Sequence, residues 1–210
     1  MNPTQIVTIG SDGLRLAAQA RLAELAGHKD LAEFATGLVS QALAETALNQ
    51  TLAQAVYRPD SAGQPLVTAL LALDAAVEIM VDQKRWALSL PGFLSYRASF
   101  PPQDFPMPTL LLPPLNPDGH YHFKPMAEGG YLATRLDLHP SLRVLGHVRL
   151  ALSRPGQLPR RLPVAEQRLD RQFLHPDLVN EALASETLVL SPAEQATLSA
   201  IFSSLLQEPL

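Results

Sequence analysis

The chain has no cysteine among its 210 residues. That removes disulfides, thiolate nucleophiles, iron–sulfur clusters and every zinc site built on sulfur. Charge and aromatic rings are also scarce, at 17% and 6% of residues, against an apolar share of 47%. A globular domain usually carries about a quarter of charged residues. Less charge than usual therefore covers the surface, and some apolar area is expected to be buried against a partner. No uninterrupted apolar run reaches the roughly 18 residues of a membrane span. The opening Met1-Asn2-Pro3-Thr4-Gln5 has neither the basic nor the long apolar region of a signal peptide. A cytoplasmic protein without membrane contact is the expectation. Also missing are a glycine-rich phosphate loop before a helix, a G-x-S-x-G elbow and an S-x-x-K pair. The reading leans away from an enzyme and specifies no cofactor.

What is present points to an α+β fold in a single domain over residues 1–210. The expected layout is an N-terminal helical layer of three helices after a short strand, a central antiparallel sheet of three to four strands, and short C-terminal helices. Residues 1–86 read as mainly helical, 87–128 as a Pro- and aromatic-rich extended segment, 129–153 as a β-hairpin and 154–210 as helical again. The β-branched residues 4–9 make the opening strand. Leu14, Ala18, Leu22 and Leu25 recur at helical spacing, as do Leu31, Phe34, Leu38 and Ala42 after the capping-box-like Asp30 and Glu33. A third helix is expected from Pro65 to about Lys84, with Asp74 and Glu78 as a solvated stripe on it.

From Pro101 to Pro125 stand eight prolines in 25 residues, a density that excludes helix interiors and central strands and favours extended backbone. After them the period changes to two: residues 120–123, 131–138 and 143–152 read as strands, the last two as a hairpin with one face buried. Ser191-Pro192-Ala193-Glu194 combines an N-cap serine, a first-turn proline and a third-position glutamate, and so marks the start of a closing helix.

Three constellations carry the functional expectations. The first joins the aromatic cluster around the prolines to an Arg-rich stretch. Seven arginines stand between residues 143 and 171, while residues 172–210 hold five acids and no Lys or Arg. Mutual cancellation of these fields within the fold is the favoured account of the asymmetry. Trp86, Phe93, Tyr96, Phe100, Phe105, Arg154, Arg160 and Arg161 are the candidate partner-binding residues. They suit a non-catalytic protein-binding or assembly factor whose partner is another protein or a further copy of the chain, with nucleic acid not expected.

The second is Asp118-Gly119-His120-Tyr121-His122 with Glu128. Residues two apart on a strand share a face, so His120 and His122 could present two imidazoles to one metal with Asp118 or Glu128 completing a site. The pattern resembles the first cupin motif, which would imply a small metal-binding β-barrel or metalloenzyme. It departs from that motif in the five residues between His122 and Glu128 and in Pro114 where a glycine is expected. The third is the strand and two helices over residues 4–46, which resemble the ribbon-helix-helix fold. That resemblance would imply a DNA-binding regulator reading bases through outward strand residues, Thr4 and Thr8 or else Gln5. Residues 1–60, however, carry more acid than base, the wrong sign for neutralising phosphates.

Overall fold

The computed structural model describes residues 5–60, 62–99, 101, 106–139 and 141–207. Among them lie two antiparallel sheets and nine α-helices, an α+β arrangement. Among the described residues no helix is long and apolar enough to cross a membrane.

The first sheet opens with a hairpin of β1 (Val7–Gly10) and β2 (Gly13–Ala17). Four short helices follow, α1 (Leu22–Ala26), α2 (Lys29–Glu33), α3 (Leu38–Ala44) and α4 (Leu52–Tyr57). The central helix α5 (Gln64–Ala72) leads into β3 (Ala76–Val81) and β4 (Lys84–Ser89), and α6 (Leu90–Tyr96) comes next. Then β5 (Thr109–Leu112) inserts between β2 and β3, so the order is β1-β2-β5-β3-β4. The second sheet takes β6 (His120–Pro125), β7 (Tyr131–His139), β8 (Val144–Ser153) and β9 (Arg160–Arg161) in sequence order. The chain closes with α7 (Pro163–Leu169), α8 (Pro176–Ala184) and α9 (Pro192–Gln207).

Every residue of α5 is buried, as a helix apolar all round must be. Leu66, Val67, Leu70 and Leu71 are each worth roughly 1.5–3 kcal/mol of burial. The polar exceptions are satisfied: Thr68 Oγ1 donates to Gln64 O at 2.7 Å, and the Gln64 amide donates to Arg154 O and Gln157 O. Period two divides the second sheet between two cores. Tyr121, Phe123, Ala133 and Ala151 join the core that contains α5. Leu132, Leu136, Leu150 and Leu152 face α7, α8 and α9 in the other.

The N-terminal part holds more strand than the periodicity predicts. Leu14 fits the helical spacing of Ala18, Leu22 and Leu25 but also repeats at two with Leu16, and Gly10 to Gly13 turns the chain into a hairpin. The expected helix to Lys84 stops at Ala72. Asp74 adopts φ 55, and beyond it Val77, Ile79 and Val81 alternate on β3. Asp82 and Gln83 both take positive φ, the two-residue turn that matches hairpin twist. The second predicted helix breaks where Ala35, Thr36 and Gly37 turn left-handed.

The Pro-rich segment is also placed by the sheets. β5 is a central strand of four residues bracketed by Pro108 and Pro113, so the prolines flank the ladder and remove no hydrogen bond within it. Pro106 O accepts from Met80 N and Pro108 O from Ala18 N. Met107, Leu110 and Leu112 are buried in the first core. The described part of this segment packs on the body of its own chain.

Candidate functional site

The densest polar cluster lies where the loop after α5 meets the second sheet. Asp74 Oδ2 accepts from Arg149 Nε at 2.6 Å and lies 2.9 Å from His147 Nε2, while Oδ1 accepts from Arg161 Nη1 at 2.6 Å. Arg161 also grips Glu166 on α7 through Nε and Nη2. Glu166 Oε1 in turn accepts from Leu150 N at 2.8 Å. Arg149 stands directly opposite Arg135 in the β7–β8 register. Two facing arginines repel unless each has its own anion. Asp74 serves Arg149, and Asp137 lies 3.6 Å from Arg135 across a bulge.

Burial by itself would push the Asp74 carboxyl up. The His147 hydrogen bond and the charges of Arg161 and Arg149 more than offset it, bringing the value down to about 2. An ionised carboxylate only accepts, so His147 presents Nε2–H to it. For Arg161 burial opposes the charge, but the bonds to Glu166 and Asp74 prevail and hold its pKa above the ordinary value. With its oxygens taken by three donors, Asp74 is poorly placed to exchange protons. The arrangement is a clamp, joining α5, β8, β9 and α7. Sequence reasoning missed it, because Asp74 was read as solvated. The available signal was a lone acid between an apolar helix and an alternating β-branched run.

A polar cavity of about 610 Å³ lies beside α4, lined by Gln19, Asn49, Gln50, Gln54, Tyr57 and Arg58 among others. Thr51 and Gln54 cap the first turn of α4 reciprocally, using donors that a phosphate would need. Burial raises the Tyr57 pKa. A second cleft, of about 490 Å³ and mostly apolar, runs between α6 and the loop before β9.

The candidate partner-binding residues separate. Phe93 is buried and meets Tyr57 edge to face at 5.1 Å. Arg154 forms a two-pronged pair with Glu194 at 2.6 and 2.7 Å, and Arg161 belongs to the clamp. The Arg154–Glu194 pair, with Arg143 Nη1 donating to Leu206 O, sets part of the basic stretch against C-terminal elements, while Arg149 and Arg161 turn to Asp74. Trp86, Tyr96 and Arg160 are exposed. Phe100 and Phe105 lie outside the described residues.

The metal reading is corrected by the structure. His120 and His122 do share a face of β6, but Glu128 lies past its end, in the turn beside Arg154 and Pro155. The second sheet is open and four-stranded, with no cupin-like barrel, and among the described residues no group of three or more His, Cys, Asp or Glu could hold an ion. The DNA-binding reading falls as well. β1 pairs with β2 of its own chain, and β2 with β5, so the opening strand is one edge of a five-stranded sheet and not the intermolecular ribbon of that fold. Thr4 lies outside the described residues.

No family model matches the chain, and no curated protein matches its sequence. Solved structures do match its fold. A chain of reconstituted CO dehydrogenase from Oligotropha carboxidovorans superposes with a TM-score of 0.70 at 12% identity, covering 96% of this chain and 75% of that one. A chain of carbon monoxide dehydrogenase from Hydrogenophaga pseudoflava, in a form lacking the Mo-pyranopterin moiety of its molybdenum cofactor, gives 0.68 at 12% identity over 95% and 74%. A chain of quinoline 2-oxidoreductase from Pseudomonas putida 86 gives 0.68 at 14% identity over 95% and 75%. At these identities the likeness is one of fold.

Proposed function

We propose that this chain is a subunit of a multi-subunit oxidoreductase. The likeness to carbon monoxide dehydrogenase and quinoline 2-oxidoreductase chains overturns the expectation of a plain assembly factor. One observation carries the reading: the match takes in nearly the whole chain, both sheets included, and three-quarters of each neighbour.

Molybdenum and copper are named for the neighbours. The donor set of this chain does not fit either, because it has no cysteine and its described residues bring together no cluster of metal-ligating side chains. The test is purification of the chain from its native host under mild conditions, followed by native mass spectrometry and a dye-reduction assay. The expected result is a fixed-stoichiometry complex whose reducing activity disappears when the chain is deleted. A lone chain, with oxidoreductase activity unchanged by its deletion, would overturn the proposal.

A further inference from the structure

The apolar cleft beside β9 has a built frame and an unused charge. Its floor is Leu71 and Leu94, both at most 4% exposed, and its walls include Leu158 and Pro159. The loop that forms one wall is pinned at three points. Gln64 Nε2 donates to Arg154 O at 3.1 Å and to Gln157 O at 2.7 Å. Arg154 is tied to Glu194, and Arg161 to Asp74 and Glu166. A loop so fixed has little ordering entropy left to lose on binding.

Between those anchors Leu158 remains 40% exposed. Arg160 projects from the same stretch, exposed, with no ion pair among the described residues. No Asp or Glu lines the cleft; of its other polar wall residues, Arg161 is held by Asp74 and Glu166 and Ser95 Oγ donates to Pro91 O at 2.9 Å. Arg160 and Arg161 form β9, the outermost strand of the second sheet. An apolar floor, a lone guanidinium at the rim and a sheet edge alongside are what an extended polypeptide with alternating side chains requires.

We propose that this cleft receives an extended segment of a partner subunit, with one apolar side chain on Leu71 and Leu94 and a nearby Asp or Glu carboxylate on Arg160. The charge complementarity favours this occupant, because an uncharged apolar segment would leave the guanidinium unanswered. The inference rests on the subunit reading above.

The test places a photo-crosslinking amino acid at Leu158 in the full complex isolated from the native host, with the same group at Val189, another exposed apolar position, as control. Irradiation is expected to join Leu158, and not Val189, to one peptide of a co-purifying subunit that carries an apolar residue beside an acid. Arg160→Glu should cut the crosslink yield about tenfold and Arg160→Lys should retain most of it, while thermal melts of both variants match the parent. Scattered or absent crosslinks within an intact complex would overturn the docking site and leave the subunit reading standing. So would an Arg160→Glu yield equal to the parent's. A chain that runs alone would overturn both.

Discussion

Asp74 and Arg161, 87 residues apart in the chain, meet at 2.6 Å where the loop after α5 touches the edge of the second sheet. The contact converts the turn that ends a buried helix into the point where three basic side chains converge. Asp74→Asn keeps the size and the tolerance for left-handed backbone but removes the charge. Arg149 would then lose its carboxylate and Arg161 would keep only Glu166, a loss expected at about 2–4 kcal/mol. Urea unfolding near neutral pH measures it.

The same carboxyl predicts how that difference varies with acidity. Its folded pKa of about 2 lies below the ordinary 3.8, so its stabilisation is fully present above about pH 4 and is lost as pH falls through about 2. The stability gap between the parent and Asp74→Asn should therefore narrow steadily over that window. Unfolding curves at several pH values check this, and a constant gap would show that the carboxylate charge is not what Asn removes.

Two glycines with similar backbone should respond differently to a methyl group. Gly130 has φ 83, and a Cβ there would run into the Ser153 carbonyl, where β7 begins beside β8. Gly156 has φ 72 but open space around it. Gly130→Ala is expected to cost roughly 3 kcal/mol or more, because backbone must move as well as twist. Gly156→Ala should cost only about 1 kcal/mol of left-handed strain. Thermal melts of the two single variants make the comparison.

Arg154 and Glu194 should behave as one unit. Glu194 also accepts from Ser191 N at 2.7 Å, so the carboxylate that receives the guanidinium also completes the cap of α9. A double-mutant cycle with Arg154→Met and Glu194→Gln is expected to give a coupling of about 1–2 kcal/mol. Glu194→Gln alone should cost more than Arg154→Met, since it weakens the cap as well. Equal single effects that simply add would contradict this.

Legibility in the sequence followed how local the determining forces are. The strands at 120–123, 131–138 and 143–152 were readable because period two there coincides with neighbours in the chain that pair with each other. Ser191 and Glu194 were readable because a capping box is complete within four residues. Residues 14–17 and 76–81 were misread although each has a hairpin partner nearby in the chain, β1 and β4: their apolar residues continue the helical spacing of the segments beside them, and the strand that joins the two hairpins into one sheet, β5, is remote. The polar residues of the clamp were invisible because their partners are remote as well. Nothing near Asp74 in sequence announces His147, Arg149 or Arg161. The Pro-rich segment misled in a different way. Its composition forbids ladder hydrogen bonds at the prolines, but leaves four consecutive residues between Pro108 and Pro113 free to make them.

The pairing of β2 with β5 sets Leu14 beside Leu112, which imposes an order on the newborn chain. The second sheet joins only sequential neighbours and can close as each strand follows the last. The first sheet cannot, because its central strand is synthesised about 100 residues after the hairpin it must join. At roughly 5–20 residues per second on the ribosome, β1 and β2 wait on the order of 5–20 s with the apolar edge of Leu14 and Leu16 uncovered. For that interval the hairpin lacks its central partner, and a pause in translation before residue 109 would lengthen the exposure.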